Sequence, residues 1–511
     1  MPNVEAMLDV CHQQGFFLQH EKGLITSAEF RNAIREQIGK VVTDARIDAA
    51  WNSFLGSIPT YKLDLLLKLR EKYVVYLLSN TNEIHWKWSC KHAFHYKAFR
   101  VEDYFERIFL SYEMKMVKPD VAIFEKLLED VNNDLVRQAQ AKGNIAIGAV
   151  CFQIPEPLIN LPGSFSVRLR APRTGSIEMG TYYMSSMLCE GCRAILERAI
   201  EGGYNFLDCI IAPDACAQMN RCVENIERQH LIEKEKFFVE YSDVPMKNDE
   251  TALRHFVKQM RLHVLEPLNN TYGIDISDDA LRKSVELQNK ISRLIRSIGN
   301  YRKEDNPRIT GYEFAVLCLA TYCCPKEALI EKLEETLEEL KTREPDKKCN
   351  YRARVVMVGS EIDNPELIKL AEEAGALVVA DRFCFGSLPG RDEIILNDTE
   401  DVLTQICRQY MKWGQCPRFM NTEKIIERQE YVDAIAKEYK ADGLIYQQIK
   451  FCDYWGYERA SAFHVMKEKY GYPVLSIDRP YAVGTSGQLR TRIQAFVESL
   501  EIKRINAGRK L

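Results

Sequence analysis

The chain has 511 residues, 46% hydrophobic and 28% charged, which fits an ordinary folded protein and excludes disordered and fibrous classes. Its 69 basic and 73 acidic residues leave a formal net charge of −4, so there is no electrostatic case for nucleic acid. No run approaches the roughly 18 apolar residues of a membrane span. The opening MPNVEAMLDVCHQQGFF lacks the basic and apolar regions of a signal peptide. A cytoplasmic setting is therefore expected, with the 16 cysteines as thiols rather than disulfides. At roughly 100 to 200 residues per domain, about three or four compact units are expected.

Residues 1 to about 55 are predicted as helices, because SAEFRNAIREQIG and DARIDAAWNSFLG place apolar residues at three-to-four spacing. KLDLLLKLREKY follows as a helix and YVVYLLSN as a strand. VAIFEKLLEDV is a helix opened by Lys118-Pro119-Asp120. A second α/β unit is predicted over 133–225: strand NIAIGAVCF, a Pro- and Gly-bearing stretch over 154–176, a helix after Cys189, and strand YNFLDCIIAP. Residues 226–345 are predicted as a charged helical region, typified by ALRKSVELQNKISRLIRSIGNYRKE. Alternation returns over 346–511, with strands RVVMVGS, ALVVADRF, GLIYQQI and YPVLSID separated by helices. Such alternation predicts doubly wound parallel sheets.

Cys189, Cys216 and Cys452 each sit where an apolar run stops and a helical pattern starts. In an α/β protein, ligands gather outside the carboxyl ends of strands, where a helix N-terminus favours a thiolate or a thiolate-bound cluster. The three therefore read as ligands of one metal cluster. Any single cysteine can instead be a buried structural thiol, the reading kept for Cys209 and Cys222. Cys384, at a predicted strand end, is a further candidate. A zinc site built from Cys189, Cys192, Cys216 and Cys222 is an alternative, although its spacing matches zinc ribbons poorly.

The pieces AKGNIAIGAVCFQIPEPL, Cys189 with Arg193 one turn later, FLDCIIAPDAC, VVMVGSEIDNPELIKLAEEAGALVVADRFCFGS, FCDYWGYE and GTSGQLRTRIQAFVE occur in that order. Over about 133–508 the chain resembles the 2-hydroxyacyl-CoA dehydratase and benzoyl-CoA reductase family of iron–sulfur subunits. The resemblance implies a [4Fe–4S] cluster bound by Cys189, Cys216 and Cys452, with one iron left free of protein thiolate. Cys192 departs from the usual pattern as an extra thiol, either a further ligand or a bystander. Glu156, Arg490 and Arg492 lie in family-like segments as candidates for proton transfer or thioester binding. Surface or helix-capping roles are their structural alternative.

The resemblance implies radical dehydration of a 2-hydroxyacyl-CoA through a ketyl, after one-electron reduction. No G-x-x-x-x-G-K-[ST] or G-x-G-x-x-G loop is present, so the nucleotide-driven donor has to be another protein. The implied partners are a homologous second subunit, a separate ATP-dependent iron–sulfur activator and the acyl-CoA substrate. The alternatives are a non-catalytic electron-relay subunit and a benzoyl-CoA reductase-type subunit.

Residues 1–131 resemble haloacid dehalogenase-like hydrolases: YVVYLLSNTNEIH matches their second motif through Ser79, and SYEMKMVKPDVAIFEKLLED their third through Lys118. The Asp-x-Asp nucleophile motif and the magnesium carboxylates are missing, so a vestigial fragment is expected and a phosphohydrolase is the remote alternative. Together the resemblances imply an α/β fold: two doubly wound Rossmann-like parallel-sheet lobes with a helical insertion, preceded by a truncated dehalogenase-like fragment whose helical cap covers about 1–55. The lobes are expected at 133–225 and 346–511.

Overall fold

The computed structural model describes residues 16–53, 55–73, 75–114, 121–172, 174–345, 351–387, 391–414, 416–481 and 487–506. The chain divides into two compact units, Met1–Ile123 and Phe124–Leu511. In the first, helices Phe16–Glu21, Ser27–Ile38 and Asp44–Asn52 gather around Phe30, Trp51 and Ile84. Thr26 and Glu29 close a capping box at the start of Ser27–Ile38, and Gly39 ends that helix at φ 63°. Strands β1 (Tyr76–Ser79) and β2 (Arg107–Leu110) pair in parallel. Neither strand carries an acidic residue. The Ser111 hydroxyl ties their carboxyl ends, accepting from Thr81 N–H at 2.9 Å and donating to Thr81 O at 2.7 Å. Ser79 is the last residue of β1; Lys118 lies outside the described residues.

The second unit holds two four-stranded parallel sheets. One contains β3 (Ile145–Ala149), β4 (Ser164–Arg168), β5 (Cys209–Asp214) and β6 (Phe238–Asp243), in the order β4-β3-β5-β6. The other contains β7 (Ala353–Gly359), β8 (Ala376–Phe383), β9 (Gly443–Ile449) and β10 (Val474–Arg479), in the order β10-β9-β7-β8. Read from the second strand of each lobe, both sheets run second, first, third, fourth. Each therefore reverses direction beside its first strand, between β3 and β5 and between β7 and β9, and leaves a crevice at the strands' carboxyl ends. Two Rossmann-like lobes thus present equivalent crevices.

Two strands escape the sequence pattern. β4 falls in the Pro- and Gly-bearing stretch and forms an edge of its sheet, yet it is buried along its whole length, so its polar Ser164, Ser166 and Arg168 conceal a buried strand. β6 falls inside the region predicted as helical; its half-buried edge position tolerates FVEYSD, which has no apolar run. Helices Glu250–Met260, Glu266–Tyr272, Asp278–Asn300, Gly311–Cys323 and Glu327–Thr342 make up the rest of that region. No helix among the described residues is long and apolar enough to cross a membrane.

Gly359 ends β7 at φ 150°, and a Cβ there would stand 1.8 Å from Gln447 O on neighbouring β9. The close approach of these backbones needs a residue without a side chain. Gly359→Ala is expected to cost about 3 kcal/mol in urea unfolding. Gly175→Ala, where the added methyl meets open space, serves as the control; equal midpoints for the two variants would contradict this packing.

Candidate metal centre

Helix Glu190–Ile200 begins directly after Cys189, Ala217–Arg228 after Cys216 and Asp453–Glu468 after Cys452. Cys216 lies two residues beyond β5 and Cys452 three beyond β9, so the two occupy equivalent places after the third strand of each lobe. Cys189 differs from expectation, because a helix, Glu178–Met184, precedes it rather than a strand. Arg193 holds that approach, donating from Nε to Leu188 O at 3.0 Å and from Nη1 to Thr181 Oγ1 at 2.8 Å.

The three cysteines line one cavity of about 110 Å³. Cys151, Cys192, Cys384 and Cys416 line it too. Cys151 stands two residues beyond β3 and Cys384 directly follows β8; Cys416 lies between helices Val402–Trp413 and Thr422–Glu438. The Cys416 turn is anchored by Arg428, whose guanidinium meets buried Glu458 through two bonds of 3.0 and 2.8 Å and also donates to Cys416 O and Phe419 O. Sequence reading missed Cys151 and Cys416. Cys151 was visible directly after the apolar run NIAIGAV, the same signal that marked Cys384, whereas nothing local distinguishes Cys416.

One buried side chain joins the three ligand candidates. Gln218, two residues after Cys216, accepts from the Cys189 N–H at 2.5 Å and donates to Phe451 O at 3.1 Å and Asp453 Oδ2 at 2.6 Å. It clamps both residues flanking Cys452, where Phe451 takes the left-handed conformation at φ 63°. The Glu190 N–H adds a bond to Lys450 O at 3.2 Å.

None of the three cysteines makes a capping hydrogen bond of ordinary geometry. The helix N–H groups instead act on the sulfurs electrostatically. Hydrogen bonds from the Cys192 and Cys452 thiols, with the N–H groups of Cys192 and Gly191, hold the Cys189 thiol well below its usual range. Burial pushes Cys216 up to about 11 against the opposing N–H groups of Met219 and Gln218. Burial likewise lifts Cys151 to about 12. Among the described residues, no three Cys, His, Asp or Glu side chains are arranged around a single ion. All described cysteines are free.

Glu361, just beyond β7, also lines the cavity. Burial raises its carboxyl to about 7, opposed by Arg168, with which it forms an ion pair. Arg168 ends β4, stacks on Phe385 at 3.5 Å and leaves Nε and Nη1 without hydrogen-bond partners.

The remaining sequence candidates stand elsewhere. Glu156 is buried against Lys326 at 3.0 Å and Gln288 at 2.9 Å, off the cavity wall. Arg490 is exposed and paired with Glu373, and Arg492 donates to Ser476 O at 2.6 Å. Cys209 lies within β5 and Cys222 within helix Ala217–Arg228, both in the hydrophobic core. The proposed zinc quartet is split accordingly, since Cys222 does not reach the cavity.

Two α/β lobes whose switch-point crevices share a thiol-lined cavity define a cysteine-rich protein suited to a soft metal group. The chain belongs to the family described as 2-hydroxyglutaryl-CoA dehydratase, D-component, which matches residues 151–500. It is 26% identical over 388 residues to the (R)-phenyllactyl-CoA dehydratase beta subunit of Clostridium sporogenes, covering 74% of this chain and 97% of that one. The N-terminal segment is haloacid dehalogenase-like. It is 32% identical over 151 residues to a D-ribitol-5-phosphate phosphatase of Bacteroides thetaiotaomicron, covering 29% of this chain and 73% of the relative. A HAD family enzyme structure from the same organism shares 66% identity over 26% of this chain and 66% of its own, with a TM-score of 0.24.

Gln218→Leu keeps the volume and removes the clamp; the apoprotein is expected to lose about 1–3 kcal/mol in urea unfolding. An unchanged midpoint would mean that the Cys189 and Cys452 turns are held by other contacts. Glu361 makes stability depend on pH. Its folded pKa is raised, so the folded state holds the proton more tightly, and stability falls as pH rises from about 4.5 to about 7. Glu361→Gln is expected to flatten that slope in unfolding measured across this window. A slope like that of the parent protein would mean that Glu361 titrates normally.

Proposed function

We propose that the chain is an iron–sulfur subunit of a 2-hydroxyacyl-CoA dehydratase-type complex in the cytoplasm, working with a homologous second subunit and an ATP-dependent iron–sulfur activator. The convergence of Cys189, Cys216 and Cys452 on one cavity carries this reading. Their donor chemistry fits a [4Fe–4S] group: soft sulfurs, N–H groups that favour thiolate at Cys189 and Cys216, and an apolar surround of Val150, Met219, Phe385 and Ile449. Each thiolate of a cubane binds a different iron, so the sulfurs need not converge as they would on a single ion. When bound, such a group supplies low-potential electrons.

The chain's own residues position that group and manage protons. Gln218 fixes the turns that carry Cys189 and Cys452. Glu361 is the carboxyl at the cavity wall that exchanges a proton near neutrality, the property required of a general acid or base there. Cys452 also borders an open surface groove with Phe451, Asp453 and Tyr457, a route by which electrons reach the interior. A second reading, electron relay to a partner that holds the thioester, is supported by the cavity's size: about 110 Å³ is small beside the roughly 300–1,000 Å³ of typical ligand pockets.

Anaerobically prepared protein is expected to contain iron and sulfide in nearly equal amounts and to bleach in air. Cys216→Ala is expected to lose at least half of that iron, and stoichiometric zinc in its place would overturn the reading. Turnover of 2-hydroxyacyl thioesters is expected only with reduced activator, ATP and the second subunit. Activity of the isolated chain with NADH would refute the electron-transfer assignment. Variants of Glu361 separate the two readings: loss of kcat in the reconstituted complex at unchanged iron content supports proton transfer here, and unchanged kcat supports relay.

A further inference from the structure

Segment 361–363, just beyond β7, carries the carboxyls of Glu361 and Asp363, and three buried guanidiniums converge on it. Arg168 pairs with the Glu361 carboxyl, Arg170 Nη1 donates to Asp363 O at 2.9 Å, and Arg479 Nη2 donates to Glu361 O at 2.9 Å. Arg170 and Arg479 thus meet main-chain oxygens there, and the Asp363 carboxyl accepts from the Tyr481 hydroxyl at 2.6 Å. Three guanidiniums against two carboxyls leave at least one positive charge in excess. A charge taken out of water is costly unless an opposite charge answers it.

Arg168 stands where that answer is needed. It ends β4 opposite Ala149 of β3, two residues before Cys151, and is 1% exposed. Its guanidinium lies over Phe385 at 3.5 Å, and Phe385, Glu361 and Cys151 all line the thiol cavity. Glu361 takes Nη2 and so fixes the fork, whereas Nε and Nη1 have no hydrogen-bond partner. The cationic set is felt at the sulfurs: Arg168 opposes the upward shift of the Cys151 thiol, and Cys189 acts on Arg479.

Excess buried cation and orphaned N–H groups beside a thiol-lined cavity share one explanation in an anionic occupant. Iron and sulfide held by thiolates form such a group, and each added electron makes it more negative. A fixed neighbouring cation favours the reduced form, because net charge and hydrogen bonding are among the factors that set a cluster's potential.

We propose that Arg168 is the counter-charge of the metal group in this cavity and raises its reduction potential, with Arg170 and Arg479 as a cationic wall behind it. The inference rests on the iron–sulfur reading above and adds a residue that tunes the group without ligating it. The electron comes from the activator, and no bond to Arg168 forms or breaks.

The test is the one-electron midpoint potential of the anaerobically reconstituted full-length protein, followed by electron paramagnetic resonance in a mediated titration at one fixed pH, with iron per chain counted alongside. Arg168→Met is expected to lower the equilibrium constant for reduction about tenfold, a fall of about 59 mV for one electron, at unchanged iron content. Arg168→Lys keeps the charge and is expected to recover most of that difference. An unchanged or raised potential in Arg168→Met would overturn the proposal and leave the iron–sulfur reading intact. A potential as low in Arg168→Lys as in Arg168→Met would also overturn it. If Arg168→Met loses iron, restoration in Arg168→Lys supports the need for charge; equal loss in both would overturn it, since packing is then what Arg168 supplies. Wild-type protein without iron would overturn both readings.

Discussion

A parallel sheet that reverses its strand order leaves crossovers on opposite faces and a crevice at the strands' carboxyl ends. Everything distinctive in the larger unit depends on having two such reversals, beside β3 and beside β7, share one cavity. Five of the seven cavity cysteines stand just beyond a strand or at a helix N-terminus; Cys192 lies within the helix after Cys189, and Cys416 lies in the turn between helices Val402–Trp413 and Thr422–Glu438. The thiols are thereby gathered from segments far apart in the chain, and sulfur donors face the cavity without any compact sequence motif.

Burying so many thiols is costly for any state in which they are charged, and local dipoles offset part of that cost. Helix N–H groups face Cys189 and Cys216, and Gln218 binds the two turns that carry Cys189 and Cys452. Glu361 on the cavity wall is paired with Arg168, which retains two unpartnered N–H groups. Burial brings Glu361 close to neutrality, so the wall of the cavity combines donors for a soft metal with one exchangeable proton.

The N-terminal unit follows a different logic. Its core is built on aromatic contacts, with Phe30 against Phe17 and Trp51, and its strands β1 and β2 form a two-stranded sheet. Such a pair depends on the helices packed around it. Ser79 stands at the end of β1, and neither of the two strands carries an acidic residue that could act as a nucleophile.

Much of this architecture was legible in the chain itself. Apolar runs punctuated by Gly and Pro marked β3, β5 and the four strands of the second lobe, because buried parallel strands must be almost wholly apolar. The same punctuation placed Cys189, Cys216 and Cys452 at helix starts. β4 was hidden by polar residues that find partners only in the folded state, as the Ser166 hydroxyl does in accepting from Asn160 Nδ2 at 2.9 Å. β6 was hidden because an edge strand needs little apolar surface. Local sequence could identify a thiol at the end of an element, but it carries no signal for which ends face each other. That was decided by sheet order and by long-range bonds such as those of Gln218, which join residues more than two hundred positions apart and exist only once both lobes have folded.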